Sequence, residues 1–106
     1  MCEWLVAQGY SIVATNLRLG RYEIDIVARS GPVIAVVEVR TRGAGAWTHA
    51  FGSLSEKKRL RVRRAGERLW QRRYKNDASV SRLRYDAASV SFDDGVPTVE
   101  YVLAAF

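Results

Sequence analysis

The chain has 106 residues, of which 48% are hydrophobic, so it is long enough for one small domain with a core and too apolar for global disorder. Its net charge is +6 and its pI is about 10.0, which favours a polyanionic partner, although a basic protein without one has the same composition. The single Cys2 excludes an internal disulfide, and together with the single His49 it excludes a zinc cluster. This cysteine usage fits a cytoplasmic protein. No apolar run approaches the ~18 residues that cross a membrane, so a membrane partner is not expected.

Residues 2–8 are typical of the last two turns of a helix, and Gly9 supplies a stop. The length of the chain predicts one domain spanning residues 1–106. Because no capping residue precedes this helix, we expect that the start of the helix is missing. Residues 10–18 alternate loosely and predict the first strand.

Residues 21–42 contain two β-branched runs around a Ser-Gly-Pro turn signal, which is typical of a β-hairpin. Gly31 tolerates a positive φ and Pro32 fixes φ near −65°, so the turn is expected between them. The run over residues 33–39 is apolar except for Glu38. It therefore predicts a central strand that is covered on both faces.

A turn at that point places Asp25 opposite Glu38 and Glu23 opposite Arg40, with all four side chains on one face of the sheet. The other face is expected to carry Tyr22, Ile24, Ile26, Val37 and Val39.

Two carboxylates directly opposite each other repel, and a carboxylate in a central strand needs a partner. A divalent cation such as Mg²⁺ would satisfy Asp25 and Glu38 together. Arg40 could hold Glu23 or face a phosphate. The alternative interpretation is a structural Glu-Arg pair on the sheet surface with Asp25 solvated.

A glycine-rich loop over residues 43–52 carries Trp47, His49 and Phe51, which suit base stacking or packing against the core. A helix then runs over residues 53–75, with Ser53 or Ser55 as its cap. Its buried stripe is predicted to be Val62, Ala65, Gly66 and Leu69.

Ten lysines and arginines against two acids make this helix the basic part of the chain. A solvated arginine face is one explanation, and a phosphate-binding face is the other. The residues expected to bind nucleic acid are Arg42, Lys57, Lys58, Arg61, Arg64 and Arg68.

Residues 80–92 and 97–103 alternate as strands around an Asp-Asp-Gly turn. Asp86 lies among apolar residues and is interpreted as a buried anchor for the basic helix, with a role in the acidic site as the alternative. The predicted order is therefore α-β-β-β-α-β-β. We expect an α/β fold with a mixed sheet flanked by helices.

An acid in one strand, followed by Glu-x-Lys in the next, is the pattern of the restriction-endonuclease-like PD-(D/E)xK superfamily. The chain resembles its YraN-like family of small bacterial proteins. The matching residues are Gly9-Tyr10, Asn16, Glu23-Ile24-Asp25, Glu38-Val39-Arg40-Thr41-Arg42, Gly52, Lys57, Tyr85-Asp86 and Ala105-Phe106.

The resemblance implies a restriction-endonuclease-like fold in which Asp25, Glu38 and the Val39 carbonyl ligate Mg²⁺ or Mn²⁺. It also implies that Glu23 and Arg40 assist a hydrolysis of phosphodiesters. Three features depart from the family pattern. Arg40 stands where the family has lysine, Tyr22 stands where it usually has glycine, and its upstream acid is expected before Met1, because Glu3 is at the wrong offset.

These observations favour a metal-dependent nuclease-like protein that acts on DNA, including structured or branched DNA. A non-catalytic nucleic-acid-binding module is the first alternative. A protein-interaction module, in the form of a homodimer that uses Leu60, Trp70 or the aromatic loop, is the second.

Overall fold

A computed structural model describes residues 1–42, 56–93 and 95–106 of the protein. The predicted aromatic loop and both candidate capping serines lie outside the described residues, as do the side chains of Thr41, Arg42 and Asp93. The elements in chain order are α1 (Cys2–Ala7), β1 (Ser11–Leu19), β2 (Tyr22–Ser30), β3 (Val33–Arg42), α2 (Glu56–Leu69), a π-helical turn (Trp70–Tyr74), β4 (Arg82–Asp93) and β5 (Val96–Val102).

The five strands form one mixed sheet in the order β1-β2-β3-β4-β5. All neighbouring pairs are antiparallel except β3 and β4, which are parallel. A parallel pair needs a long crossover, and α2 lies within that connection. The predicted α/β order and the mixed sheet flanked by helices are confirmed.

The β2–β3 hairpin has the register that the predicted turn requires, with Ser30 opposite Val33 and Ile26 opposite Val37. Gly31 adopts a φ of +57° in the turn. The ladder ends at Ile26, however, so Asp25 and Glu38 are the first residues beyond its last pair.

Apolar side chains cover the sheet on both faces. On the face that packs against α2, the buried core includes Ile34 and Val36 of β3 with Leu69 of α2. On the face that packs against α1, Ala35 and Val37 join Leu5, Ile26 and Ala28, and all five of these residues are buried. The prediction of a central strand covered on both sides is therefore confirmed.

The alternation of β2 side chains between the two faces of the sheet is interrupted at Asp25. This corrects the expectation that Tyr22, Ile24 and Ile26 share one face. Tyr22 and Ile24 pack on the α2 face, whereas Ile26 packs on the α1 face, although regular alternation would place all three together. The β1–β2 ladder has no pair at this level, between Thr15–Ile26 and Leu17–Ile24, and Asn16 of β1 has a φ of +48° there. The irregular backbone at this point switches which side chains face α2.

Helix α2 buries the four predicted stripe residues, and Leu60 is exposed as expected. Gly66 is required in the stripe, because a methyl group there would clash with the ring of Tyr85. Helix α1 ends as predicted: Gly9 has a φ of +96°, and the Tyr10 amide donates to the Leu5 carbonyl at 3.0 Å. Within the described residues, no helix is long and apolar enough to span a membrane.

Candidate metal and nucleic-acid site

Asp25 and Glu38 line the same cavity, whose volume is about 250 Å³. The cavity lies between the sheet and α2, and the residues that complete its lining are Arg21, Tyr22, Glu23, Lys58, Arg61 and Val62. The two carboxylates that the sequence predicted to meet therefore lie on the same side of the sheet. The switch in alternation at Asp25 explains this, because an uninterrupted strand would aim Asp25 away from the α2 face that holds Tyr22 and Ile24.

Asp25 takes over the hydrogen bonding of β3 where the ladder stops. Its Oδ2 accepts a hydrogen bond of 2.8 Å from the Val39 amide. A strand residue directs its amide and its carbonyl toward the same neighbouring strand, so the Val39 carbonyl also faces the edge at which Asp25 lies. This arrangement is compatible with the predicted role of Val39 as a ligand.

Glu38 forms an ion pair with Lys58 of α2, with 2.8 Å between Oε1 and Nζ. Both side chains are mostly buried, with exposed fractions of 20% and 25%. The ammonium of Lys58, which was predicted to contact phosphates, lies beside Glu38 in the structure, and its phosphate-binding role stays a prediction. Sequence spacing could have indicated this, because Lys58 lies one turn before Val62 on the buried stripe.

The donor set suits a hard cation. Two carboxylates in one cavity offer the oxygen ligands that Mg²⁺ prefers, and Mg²⁺ usually keeps several waters beside one or two carboxylates. Among the described residues, no group of three or more His, Cys, Asp and Glu side chains could surround a metal ion. Asp25 and Glu38 therefore fit a magnesium site in which water and substrate oxygens complete the coordination.

Glu23 and Arg40 do not form the predicted pair, because the ladder ends before it would reach them. Glu23 lies beside Arg18 of β1 instead, at 3.7 Å, and both side chains are largely exposed. Arg40 is half-buried on β3 opposite Ser89 of β4. By alternation from Glu38, its side chain is on the α2 face.

A basic groove leads away from the acid pair. Two further cavities, of about 360 and 620 Å³, share Arg21 and Tyr22 with the acid-lined cavity. Four of the predicted nucleic-acid-binding residues line this groove, namely Lys57, Arg61, Arg64 and Arg68. The structure adds Arg21 and Arg72, which sequence reasoning missed. Arg21 is next to the acidic strand motif, but its position over α2 follows only from the tight turn before β2.

The predicted homodimer would use Leu60 of α2 and Trp70 of the π-helical turn. Leu60 is 49% exposed and lines the groove, whereas Trp70 is half-buried against the core. The homodimer stays a prediction, as does the phosphate-binding role of Arg42.

Asp86 occupies a separate site on the α1 side, which corrects its assignment as an anchor for the basic helix. It is fully buried, and Arg84 donates to both of its oxygens at 2.8 Å. The Tyr101 hydroxyl donates to Asp86 at 2.6 Å, and the Ala104 amide donates at 3.0 Å. Arg84 also donates to the Tyr10 hydroxyl. Through these hydrogen bonds Asp86 holds Tyr101 and Ala104 against β4.

Comparison with known proteins identifies the family. The model of the uncharacterised protein family UPF0102 matches residues 1–90. The chain belongs to UPF0102. A UPF0102 protein of Sorangium cellulosum is 58% identical over 103 residues, which cover 96% of this chain and 72% of the relative. UPF0102 proteins of Anaeromyxobacter dehalogenans and Streptomyces coelicolor are 36% and 38% identical over 103 and 99 residues, covering 97% and 92% of this chain and 75% of each relative.

The predicted YraN-like family, which is UPF0102, is thus confirmed, whereas membership of the PD-(D/E)xK superfamily stays a prediction. The matched region contains the acid pair, Lys58 and the whole basic groove of this UPF0102 protein. Tyr101 and Ala104, which hold Asp86, lie beyond it.

Proposed function

We propose that this UPF0102 protein is a metal-dependent nuclease-like protein of the PD-(D/E)xK superfamily that acts on DNA, including structured or branched DNA. The observation that carries the proposal is the shared cavity of Asp25 and Glu38 at one end of an arginine-lined groove. A predominantly basic groove concentrates a polyanion, and the acid pair lies where the groove ends.

In this proposal Asp25 and Glu38 hold Mg²⁺ or Mn²⁺, with the Val39 carbonyl as a third ligand. A bound divalent cation supplies an acidified water and stabilises charge on a phosphodiester. The protein contributes position and charge. The Val39 amide fixes the orientation of Asp25, and Lys58 compensates Glu38 until a cation takes that role.

Arg40 and Glu23 have supporting roles. Arginine stays protonated, so Arg40 can stabilise a phosphate but cannot serve as a base. Glu23 lines the same cavity and adds negative charge at its mouth. Lys57, Arg61, Arg64 and Arg68 neutralise strand phosphates along the groove.

Cleavage of plasmid DNA and of a four-way junction, with Mg²⁺ and with Mn²⁺, tests the proposal. Wild-type protein is compared with Asp25→Ala and with Glu3→Ala, which removes an exposed acid of α1. We expect cleavage by the wild type and by Glu3→Ala, and a loss of at least about a hundredfold in Asp25→Ala. Equal cleavage by all three proteins, or by none, would refute catalysis at this site.

A non-catalytic nucleic-acid-binding module is the second candidate, and the Glu38–Lys58 ion pair favours it. Because Lys58 already compensates Glu38, this carboxylate has a counter-ion within the protein and does not require a cation. This alternative predicts DNA binding that weakens steeply with salt, requires no metal and survives Asp25→Ala.

A further inference from the structure

Tyr22 is surrounded by arginines and lines both cavities of the basic groove. It is the first residue of β2 and is only 8% exposed. Arg21 donates from Nη2 to its hydroxyl at 3.2 Å, and the Arg64 guanidinium of α2 is near enough to lower the pKa of Tyr22 as well. Tyr22 therefore lines one groove with two guanidinium groups that come from different parts of the chain.

A third guanidinium completes the cluster. The guanidinium carbons of Arg21 and Arg68 lie 5.3 and 5.1 Å from the centre of the Tyr22 ring, which is cation–π distance. Gly20 makes room for Arg68, because a methyl group on Gly20 would lie 2.5 Å from its Nη1. The Arg68 guanidinium therefore lies directly against the β1–β2 turn at Gly20.

The cluster lacks a counter-ion within the described part of the chain. None of its three arginines forms an ion pair there, and Glu67 is the one acid that lines the adjoining cavity of about 620 Å³. The hydrogen bonds from Arg21 and then Arg64 lower the pKa of Tyr22 below its ordinary value. An environment that stabilises a phenolate also stabilises other anions.

We propose that Arg21, Arg64 and Arg68, arranged around Tyr22, bind a phosphate monoester, and that its source is the terminal phosphate of a nucleic-acid strand. A terminal phosphate carries about −1.5 to −2 charges and three acceptor oxygens, whereas a phosphodiester carries one charge. Three forked donors match the monoester better. The inference rests on the proposed function, because it assigns the strand end that the groove would hold.

The connection between the cavities favours a strand end over free phosphate. Arg21 and Tyr22 line both the arginine cavity and the acid-lined cavity. Tyr22 and Asp25 are three residues apart on β2, which is about 10 Å at the usual rise of a strand. A strand anchored by its end at Tyr22 would place a nearby phosphodiester beside the acid pair.

Fluorescence anisotropy tests the inference with one oligonucleotide that carries a phosphate at the 5′ end, at the 3′ end or at neither. The titrations contain EDTA, so they do not depend on metal binding or cleavage. For wild-type protein we expect roughly tenfold tighter binding of a strand with a terminal phosphate. Arg64→Gln and Arg68→Gln should each remove most of that preference.

Arg63→Gln is the matched control, because it removes the same charge from an exposed position of α2 that does not line the groove. It should keep the preference while weakening all three strands equally. Gly20→Ala changes no charge but displaces the Arg68 guanidinium, so it should reduce the preference as well. Circular dichroism establishes that each variant is folded.

Three results would overturn the inference: equal binding of all strands by the wild type, no binding of any strand, or an equal loss of preference in Arg63→Gln. Thermal stabilisation by inorganic phosphate without a strand preference would assign the cluster to a free anion, and would also overturn it. Asp25→Ala should keep the preference. A protein that shows the preference but cuts no DNA would refute the proposed catalysis and leave the phosphate site standing.

Discussion

The carboxylates on the two faces of the sheet differ in how many hydrogen bonds the protein donates to them. On the α1 side, the protein supplies Asp86 with an arginine, a tyrosine and a backbone amide, and the side chain is fully buried. On the α2 side, Asp25 and Glu38 share an open cavity, in which the described contacts are one amide to Asp25 and one ammonium to Glu38.

The difference separates structural acids from acids that can accept a ligand. A buried carboxylate whose oxygens are satisfied by the protein stabilises the fold and has no capacity left for a ligand. A pair with few protein donors, facing a cavity, keeps lone pairs for a cation. Residue type does not distinguish the two sites, whereas their saturation with hydrogen bonds does.

The largest expected effect is a loss of folding stability at Asp86, whose two carboxylate oxygens both accept hydrogen bonds from the protein. Asp86→Asn should lower the free energy of unfolding by about 3–5 kcal/mol, because it leaves Arg84 half-buried without its counter-ion. Urea denaturation measures this change. The control Glu23→Gln breaks an exposed ion pair with Arg18 and should cost less than about 1 kcal/mol. Similar losses in both variants would erase the contrast between the sites.

Alkaline pH should also lower the free energy of unfolding, through Tyr101 beside Asp86. Burial, and then the hydrogen bond to Asp86, raises the pKa of Tyr101, where Tyr10 and Arg84 also face it. Above about pH 10 the unfolded chain therefore loses this proton before the folded chain does, and the free energy of unfolding falls as pH rises. Below that pH the contribution of Tyr101 is fully present.

Urea denaturation between about pH 9 and pH 11.5 measures that slope. Tyr101→Phe should make the decline shallower. Tyr22 is the internal contrast, because its pKa is lowered and its own contribution is lost as pH falls. A decline that is unchanged in Tyr101→Phe would contradict the assignment.

At the open site, Lys58→Gln should tighten Mn²⁺ binding by roughly fivefold, since the ammonium competes with a cation for Glu38. Calorimetry measures the dissociation constant. Lys57→Gln is the matched control, because Lys57 lines the groove but not the acid-lined cavity. Weaker Mn²⁺ binding in Lys58→Gln would show that Lys58 supports the site and does not compete for it.

The smallest expected effect is that of Asp25→Asn on stability. Its amide oxygen can still accept the Val39 amide, so the free energy of unfolding should change by about 1 kcal/mol or less. Thermal and urea denaturation beside Asp86→Asn measure it. A loss as large as that of Asp86→Asn would make Asp25 a structural acid.

The sequence was sufficient for what depends on local chemistry. The Ser-Gly-Pro signal predicted the turn at Gly31 and hence the hairpin register, and helical spacing predicted the buried stripe of α2. It was insufficient at Asp25, because the switch of faces comes from an irregular backbone opposite Asn16. Alternation alone cannot reveal such a switch.

The partners of Asp86 also divide into those that the sequence could predict and those that only the folded chain brings together. Arg84 is two residues from Asp86 on one strand, so this pair was within reach of sequence reasoning. Tyr10 and Tyr101 reach the same network from distant parts of the chain, and only the folded sheet brings them there. The arginine cluster around Tyr22 likewise depends on the crossing of α2 over the β1–β2 turn.

Calorimetric titration of Mn²⁺ into the wild type, Asp25→Asn, Glu38→Gln and the control Glu3→Gln tests most directly whether the acid pair shares one cation. The account predicts one Mn²⁺ per chain in the wild type and in Glu3→Gln, with binding lost in Asp25→Asn and in Glu38→Gln. The same isotherm for all four proteins, or no binding by the wild type, would contradict it.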